Sequence, residues 1–237
     1  MYYGTPPIIT NGLVTYIDVR NPQSYVSGST SFKNLGSATS SISSPAGNIY
    51  TGASLYATSS IGQAAWPNAS PDLSTSQQGT YSLWIKIPNG NSTAGTTLFF
   101  TGGITQAATY FYRNSPWTPT NQYGWLLYYT GSTGTTPYLP QYAYTPNQWV
   151  NTVMTFTSTG TGSVYVNGVL VNRQNMSNFS SWNRVAANTP VINMYATSSS
   201  AGVVYGEFGA FQYYDRALSQ QEVLQNYNAI KTRYGLT

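Results

Sequence analysis

Few side chains in this sequence are of the types that do chemistry. Its carboxylates are Asp18, Asp72, Glu207, Asp215 and Glu222, and no two lie within five residues of each other. Cleaving a glycosidic bond takes two carboxyl groups flanking it, about 5–10 Å apart depending on mechanism. The settings of these five read as structural instead. Asp18 precedes the turn-forming Arg20-Asn21-Pro22, Asp72 follows Pro71 in a loop, and Asp215 comes just before a helix. Glu222 stands three residues after Ser219, the spacing of a capping box. Glu207 is expected beside Arg216 or in solvent. A calcium site wants several clustered oxygen ligands, which this spacing does not supply. The sequence has no histidine and no cysteine, which removes Ser-His-Asp chemistry, the usual zinc and copper sites, thiolates and disulfides. The expectation is no catalytic residue, no metal site and no cofactor.

The cations give no clearer signal. Arg20, Lys33, Lys86, Arg113, Arg173, Arg184, Arg216, Lys231 and Arg233 are scattered, and the formal net charge is +4. A nucleic-acid surface needs clustered cations to displace counterions, so no nucleic-acid partner is expected. Charged residues make up 6% of the 237 residues, against roughly 25% in an ordinary soluble domain. Residues 114–172 carry no charge at all. The opening MYYGTPPIIT lacks the basic and apolar regions of a secretory signal. No apolar run approaches the roughly 18 residues of a membrane helix, so no membrane partner is expected either.

What remains for recognition is aromatic. There are six Trp and 22 Tyr, and rings on loops can stack on sugars or anchor a protein partner. Trp66, Trp117 and Trp182 lie beside Pro, Asn and Ser in expected loops. Asn114–Trp125 (NSPWTPTNQYGW) and Pro137–Pro146 (PYLPQYAYTP) combine rigid rings with small polar groups, as paratopes do, and contribute Trp117, Tyr138 and Tyr142. Tyr2 and Tyr3, next to Pro6-Pro7, add a second candidate contact surface. Trp84 and Trp149 fall in strands and read as core.

These side chains must be positioned by strands. Residues 1–11 read as an extended N-terminal arm and 12–237 as one domain, a length common for a single all-β sandwich. Strands are expected at Gly12–Val19, Tyr81–Pro88, Thr96–Thr101, Tyr123–Thr130, Trp149–Thr157, Val191–Tyr195 and Val203–Tyr214, with short strands and loops over Ser27–Ser60. In YSLWIKIP, Tyr81, Leu83, Ile85 and Ile87 share one face, and Ser82, Trp84 and Lys86 the other. Within Ser163–Val171 (SVYVNGVLV), Asn167-Gly168 predicts a two-residue hairpin turn, because a type I′ turn needs positive φ at both central positions. Ser219 and Glu222 cap one C-terminal helix, Leu218 and Val223 form its hydrophobic staple, and Gly235 ends it. The fold class is therefore all-β, a two-sheet antiparallel jelly-roll β-sandwich with one short C-terminal α-helix.

The order of Gly12–Tyr25, YSLWIKIP, Asn147–Val171 and Gly206–Asn228 resembles the laminin-G-like jelly roll of the concanavalin A-like lectin/glucanase superfamily. The resemblance spans most of the chain, with weak motifs between residues 27 and 80. Its glycosidase members carry a Glu-x-Asp-x-x-Glu strand, which is absent here, and the positions of Trp84 and Trp149 match tryptophans that pack between the sheets. The ending YDRALS…EVLQNYNAIKTRYG is similar to structural proteins of tailed bacteriophages. The resemblance implies a non-enzymatic virion structural protein on the particle surface, in capsid decoration or an accessory role, with capsid or tail proteins as partners. The alternative is a tail-fibre or adhesin module that binds host-surface glycans through loop aromatics. A homo-oligomer on the particle is compatible with either.

Overall fold

A computed structural model describes residues 6–38, 42–43, 48–50, 54–57, 63–65, 78–86, 96–101, 108–113, 122–128, 142–143, 145–175, 191–193, 195–197, 203–205 and 207–237. The described strands begin with β1 (Leu13–Asp18), β2 (Ser31–Phe32), β3 (Ile42–Ser43), β4 (Asn48–Tyr50), β5 (Leu55–Ala57) and β6 (Gln63–Ala65). They continue through β7 (Gly79–Lys86), β8 (Thr96–Thr101), β9 (Ala108–Arg113), β10 (Gln122–Tyr128), β11 (Tyr142–Ala143) and β12 (Trp149–Phe156). The last six are β13 (Thr161–Val166), β14 (Val169–Asn175), β15 (Val191–Asn193), β16 (Tyr195–Thr197), β17 (Val203–Tyr205) and β18 (Glu207–Tyr214), followed by α1 (Gln220–Ile230).

All described pairings are antiparallel. One sheet runs β14-β13-β12-β7-β18-β5-β4. β1 lies along β18 from Leu13↔Tyr214 to Asp18↔Ala210, while β5 meets β18 only at Phe208. A second sheet runs β11-β10-β9-β8-β15-β6-β3-β2, and β16 and β17 form a separate ribbon. The jelly-roll class with one terminal helix is what the sequence pattern anticipates.

The turn between β13 and β14 shows why the sequence folds as it does locally. Asn167 has φ of 50° and Gly168 of 79°, the left-handed pair that a type I′ turn requires. Asn167 also accepts the Asn151 backbone amide on Oδ1 at 2.9 Å, so its side chain ties the turn to β12. A Cβ at Gly168 would come within 2.9 Å of Leu224, so glycine is needed for contact with α1 as well as for its backbone angle.

Both faces of β7 are buried, and they meet different partners. On one, Tyr81 stacks on Phe156, Phe211 and Tyr213 at centroid distances of 5.8, 6.4 and 5.1 Å. On the other, Trp84 stacks on Tyr227 of α1 at 5.7 Å and on Tyr234 at 4.6 Å. Trp84 is core, as expected, but it packs under the terminal helix rather than between two sheets. Trp149 is only partly buried and lies against Tyr234 at 4.5 Å. Face alternation groups the right residues; it does not reveal which face the helix covers.

The helix begins as its capping box directs. The Ser219 hydroxyl accepts the Glu222 amide at 3.3 Å, and Glu222 Oε2 accepts the Ser219 amide at 2.8 Å. Leu218 and Val223, the staple pair, are both buried in the cluster beneath the helix. The α-helix stops at Ile230 and tightens into a 3₁₀ turn, Lys231–Tyr234, before Gly235 at φ 73° closes it.

The described part of the N-terminal segment has neither helix nor strand, and it is fastened to this helix. The Ile9 amide donates to Asn226 Oδ1 at 2.7 Å, Asn226 Nδ2 donates to the Tyr214 hydroxyl at 2.9 Å, and that hydroxyl donates to the Ile9 carbonyl at 2.9 Å. Gln225 reaches the Pro7 carbonyl, and Arg216 the Asn11 carbonyl. Residues 7–11 thus act as a strap across α1.

Candidate functional site

Most of the aromatic candidates for partner contact fall outside the described residues: Tyr2, Tyr3, Trp66, Trp117, Tyr138 and Trp182. Tyr142 opens β11, paired through its backbone with Tyr123 of β10. The structural candidates Trp84, Trp149, Asn167, Gly168, Ser219 and Glu222 all sit on the sheet that carries α1, or on α1 itself.

The carboxylates are committed to the fold. Asp18 is wholly buried: its Oδ2 accepts the Tyr16 hydroxyl and pairs with Arg233, and its Oδ1 accepts the Arg20 amide. Arg233 also donates to the Tyr16 hydroxyl at 3.2 Å. This bridge joins the first strand to the end of the chain, which no local pattern could signal. Burial first, and then the Asp18 charge, push the Tyr16 hydroxyl well above its ordinary pKa. Burial does the same at Tyr214 and Tyr234, so all three hydroxyls under the helix stay protonated as hydrogen-bond donors.

Glu222 takes a two-pronged ion pair from Arg216, at 2.6 and 3.0 Å, besides its capping role. That fork is the main reason its carboxyl is held down to about 2, with the Ser219 amide and hydroxyl helping. Glu207 therefore does not meet Arg216. It pairs with Lys86 at 2.7 Å and accepts the Ser54 hydroxyl at 2.6 Å. Arg216 faces Glu222 because both flank the cap, six residues apart, whereas Glu207 stands directly across from Lys86 in the ladder. Asp72 lies outside the described residues. Among the described residues, no group of three or more carboxylates could hold a metal ion.

One buried group is less well served. Gln212 is 1% exposed, and among the described residues neither its side-chain oxygen nor its nitrogen finds a hydrogen-bond partner. It sits in the ladder between Ser82 and Tyr16, on the face covered by the helix. Buried amides left unpaired are rare in folded proteins, and nothing in the surrounding contacts accounts for this one.

Where α1 gives out, the same face of the sheet comes to the surface. Trp149, Lys86 and Glu207 stand directly opposite one another on β12, β7 and β18, so their side chains project from one face as a row. Arg20 reaches over from the end of β1, with its guanidinium 4.5 Å from the Tyr234 ring and 5.3 Å from Trp149. Lys86 and Glu207 keep 29% and 30% of their side chains exposed. The row sets a partly exposed indole beside a paired ammonium and carboxylate, so a donor, an acceptor and an apolar surface adjoin. Neither the strand pattern nor the charge spacing identifies this cluster, because its members come from four separate strands or strand ends.

Comparison with known proteins agrees with this architecture. The binding domain of Paraclostridial Mosquitocidal Protein 1 superimposes with a TM-score of 0.71 at 13% identity, covering 95% of this chain and 55% of that one. A Trypanosoma rangeli sialidase in complex with sialic acid gives 0.66 at 13% identity, over 98% and 36%. A botulinum neurotoxin type C structure, whose description ties cell entry to two ganglioside molecules, gives 0.69 at 10% identity, over 92% and 51%. At these identities the likeness is one of fold. The chain spans about a third to a half of the length of these structures. No curated protein matches the sequence. The laminin-G-type family pattern described as the concanavalin A-like lectin/glucanases superfamily matches residues 58–224, well over half of the sequence. The chain belongs to the concanavalin A-like lectin/glucanase superfamily.

Proposed function

We propose that this chain is a non-catalytic, glycan-recognising adhesin module carried on the surface of a tailed-phage particle. The observation that carries the non-catalytic half is the state of the carboxylates. Asp18, Glu207 and Glu222 are each tied to a cation and to a neighbouring hydroxyl or amide, whereas glycoside hydrolysis needs one carboxyl protonated and a second free to attack or to activate water. The recognition half draws on membership of a superfamily that includes lectins. Structural neighbours described as a toxin binding domain and as dependent on gangliosides support the same reading.

The phage setting rests on the ending YDRALS…EVLQNYNAIKTRYG, and its partners there are tail or capsid proteins. Between the two particle roles, adhesion is favoured over capsid decoration because residues 7–11 are bound to the protein's own helix. A decoration protein holding the shell through that stretch would have to release those contacts.

The test is a glycan array probed with the purified chain, paired with an assay for sugar release from the glycans it binds. Binding without turnover is the expected result. Turnover abolished by Glu207→Gln would make the protein a hydrolase, and an array with no bound glycan would remove the recognition role. Immunogold labelling of purified particles then reports tail, head or neither.

A further inference from the structure

We infer that the row Trp149–Lys86–Glu207, beyond the end of α1, is a subsite for a pyranose ring presenting two adjacent hydroxyls. This rests on the glycan-binding reading and names a surface different from the loop aromatics. A pyranose offers a C–H face that packs on an aromatic ring, and hydroxyls that each donate and accept. The row offers the complements side by side. Trp149 is partly buried and braced by Tyr234 at 4.5 Å and by the Arg20 guanidinium at 5.3 Å, so little motion remains to be frozen when a ring stacks on it. Lys86 and Glu207 sit at consecutive ladder positions from it and hold each other at 2.7 Å. Their ammonium and carboxylate present a fixed donor and a fixed acceptor, so one sugar hydroxyl can accept from Lys86 while its neighbour donates to Glu207. Ser54 anchors the far carboxylate oxygen at 2.6 Å, which keeps the acceptor in place.

The bland account of the same residues is a surface ion pair beside a packed tryptophan. An exposed pair of this kind contributes little to stability, so stability measurements would not distinguish the accounts, and ligand binding does.

The experiment measures binding of methyl β-galactoside, methyl β-glucoside and methyl α-mannoside, plus the best glycan from the array. Saturation-transfer NMR and calorimetry are run on the wild type, Glu207→Gln, Lys86→Gln and Trp149→Phe. The expected result is a tenfold or greater loss of affinity in Glu207→Gln and Lys86→Gln with melting temperatures unchanged, and a smaller loss in Trp149→Phe, which keeps a ring. Saturation should concentrate on one C–H face of the sugar. Wild-type binding that survives Glu207→Gln and Lys86→Gln within twofold overturns this subsite and leaves the glycan-binding reading standing. An array without any bound glycan overturns both. Loss of binding in Trp117→Ala with no change in the row variants moves the site to the loops.

Discussion

The two faces of β7 are buried to similar depth by different means. Around Tyr81 the contacts are ring against ring, with Phe156, Phe211 and Tyr213. Around Trp84 a helix is laid over the sheet, and the packing is threaded with polar atoms: Asp18 with Arg233 and Tyr16, and Asn226 with Tyr214 and the strap. Apolar burial is non-directional, whereas a buried hydrogen-bond network holds one arrangement and is costly when a member is removed. The first face supplies bulk cohesion; the second fixes where the helix, the strap and β1 must go.

The comparison breaks most visibly at its two central rings. Trp84→Ala and Tyr81→Ala should each cost about 3–5 kcal/mol, as large aromatic truncations in a core do. Their patterns should differ. In hydrogen exchange, Trp84→Ala should expose the amides of α1 ahead of the rest, while Tyr81→Ala should lower protection across the whole sheet. Equal loss everywhere in both variants would show that the faces act as one unit.

Gly209 tests how closely the helix side is fitted. A Cβ there would stand 2.4 Å from Tyr234, against ring atoms and the hydroxyl. Gly209→Ala should therefore cost about 1–3 kcal/mol by overpacking, read as a lower denaturation midpoint with an unchanged m-value. An unaffected midpoint would mean that Tyr234 can move aside freely.

Gln212→Met goes the other way. Its amide is buried on the helix side with both polar atoms unpaired, and removing such a group while keeping its volume should raise stability by about 1–2 kcal/mol. Thermal unfolding decides it. A destabilised variant would mean the amide has a bridging partner.

The helix side should also show a pH asymmetry. Tyr16, Tyr214 and Tyr234 have hydroxyl pKa values raised above the ordinary 10, so the fold favours their neutral forms. Their contribution is complete below about pH 10 and is lost as pH climbs past it. Glu222 is shifted the other way, from 4.5 to about 2, so its contribution is present above about pH 4.5 and fades as pH falls toward 2. Both losses should appear first as loosening of α1, followed by near-ultraviolet circular dichroism. Tyr214→Phe should shift the alkaline limb, and Glu222→Gln should flatten the acid one.

How much of this was legible depends on how local each signal is. Asn167-Gly168 and Ser219…Glu222 were readable because a turn and a cap are decided within four residues. The strand signals placed β7 and β12 within two residues at their ends, but the single strand expected over Val203–Tyr214 is two, β17 in the separate ribbon and β18 beginning at Glu207. β9 was not singled out: its sequence, ATYFYR, is aromatic on both faces and shows no alternation to catch. The partners of Asp18 and Glu207 were beyond reach, since Arg233 lies 215 residues away in the chain and Ser54 lies 153 residues from Glu207. Likewise the sequence showed Trp149 as a core ring, but its place in a half-exposed row depends on three strands being set side by side. Of the loop aromatics that the sequence put forward for binding, Tyr142 lies in strand β11 and the others fall outside the described residues, so the glycan and variant measurements are what will choose between the two surfaces.

The strap has a consequence for the order of events during synthesis. Ile9 bonds to Asn226, 217 positions later, and Tyr16 to Arg233, also 217 later. Strand β1 likewise pairs with β18, nearly 200 residues on. Residues 7–18 therefore leave the ribosome some 200 residues ahead of these partners, with β1 bonded in the meantime only to the loop that follows it, through Ser24, Asn34, Leu35, Ser37 and Ala38. Contacts this distant are slow to form, because the entropy of closing the loop must be overcome before they give any return. A nascent chain halted before residue 206 should remain sensitive to protease over residues 7–18, and gain protection only when β18 and the helix are released.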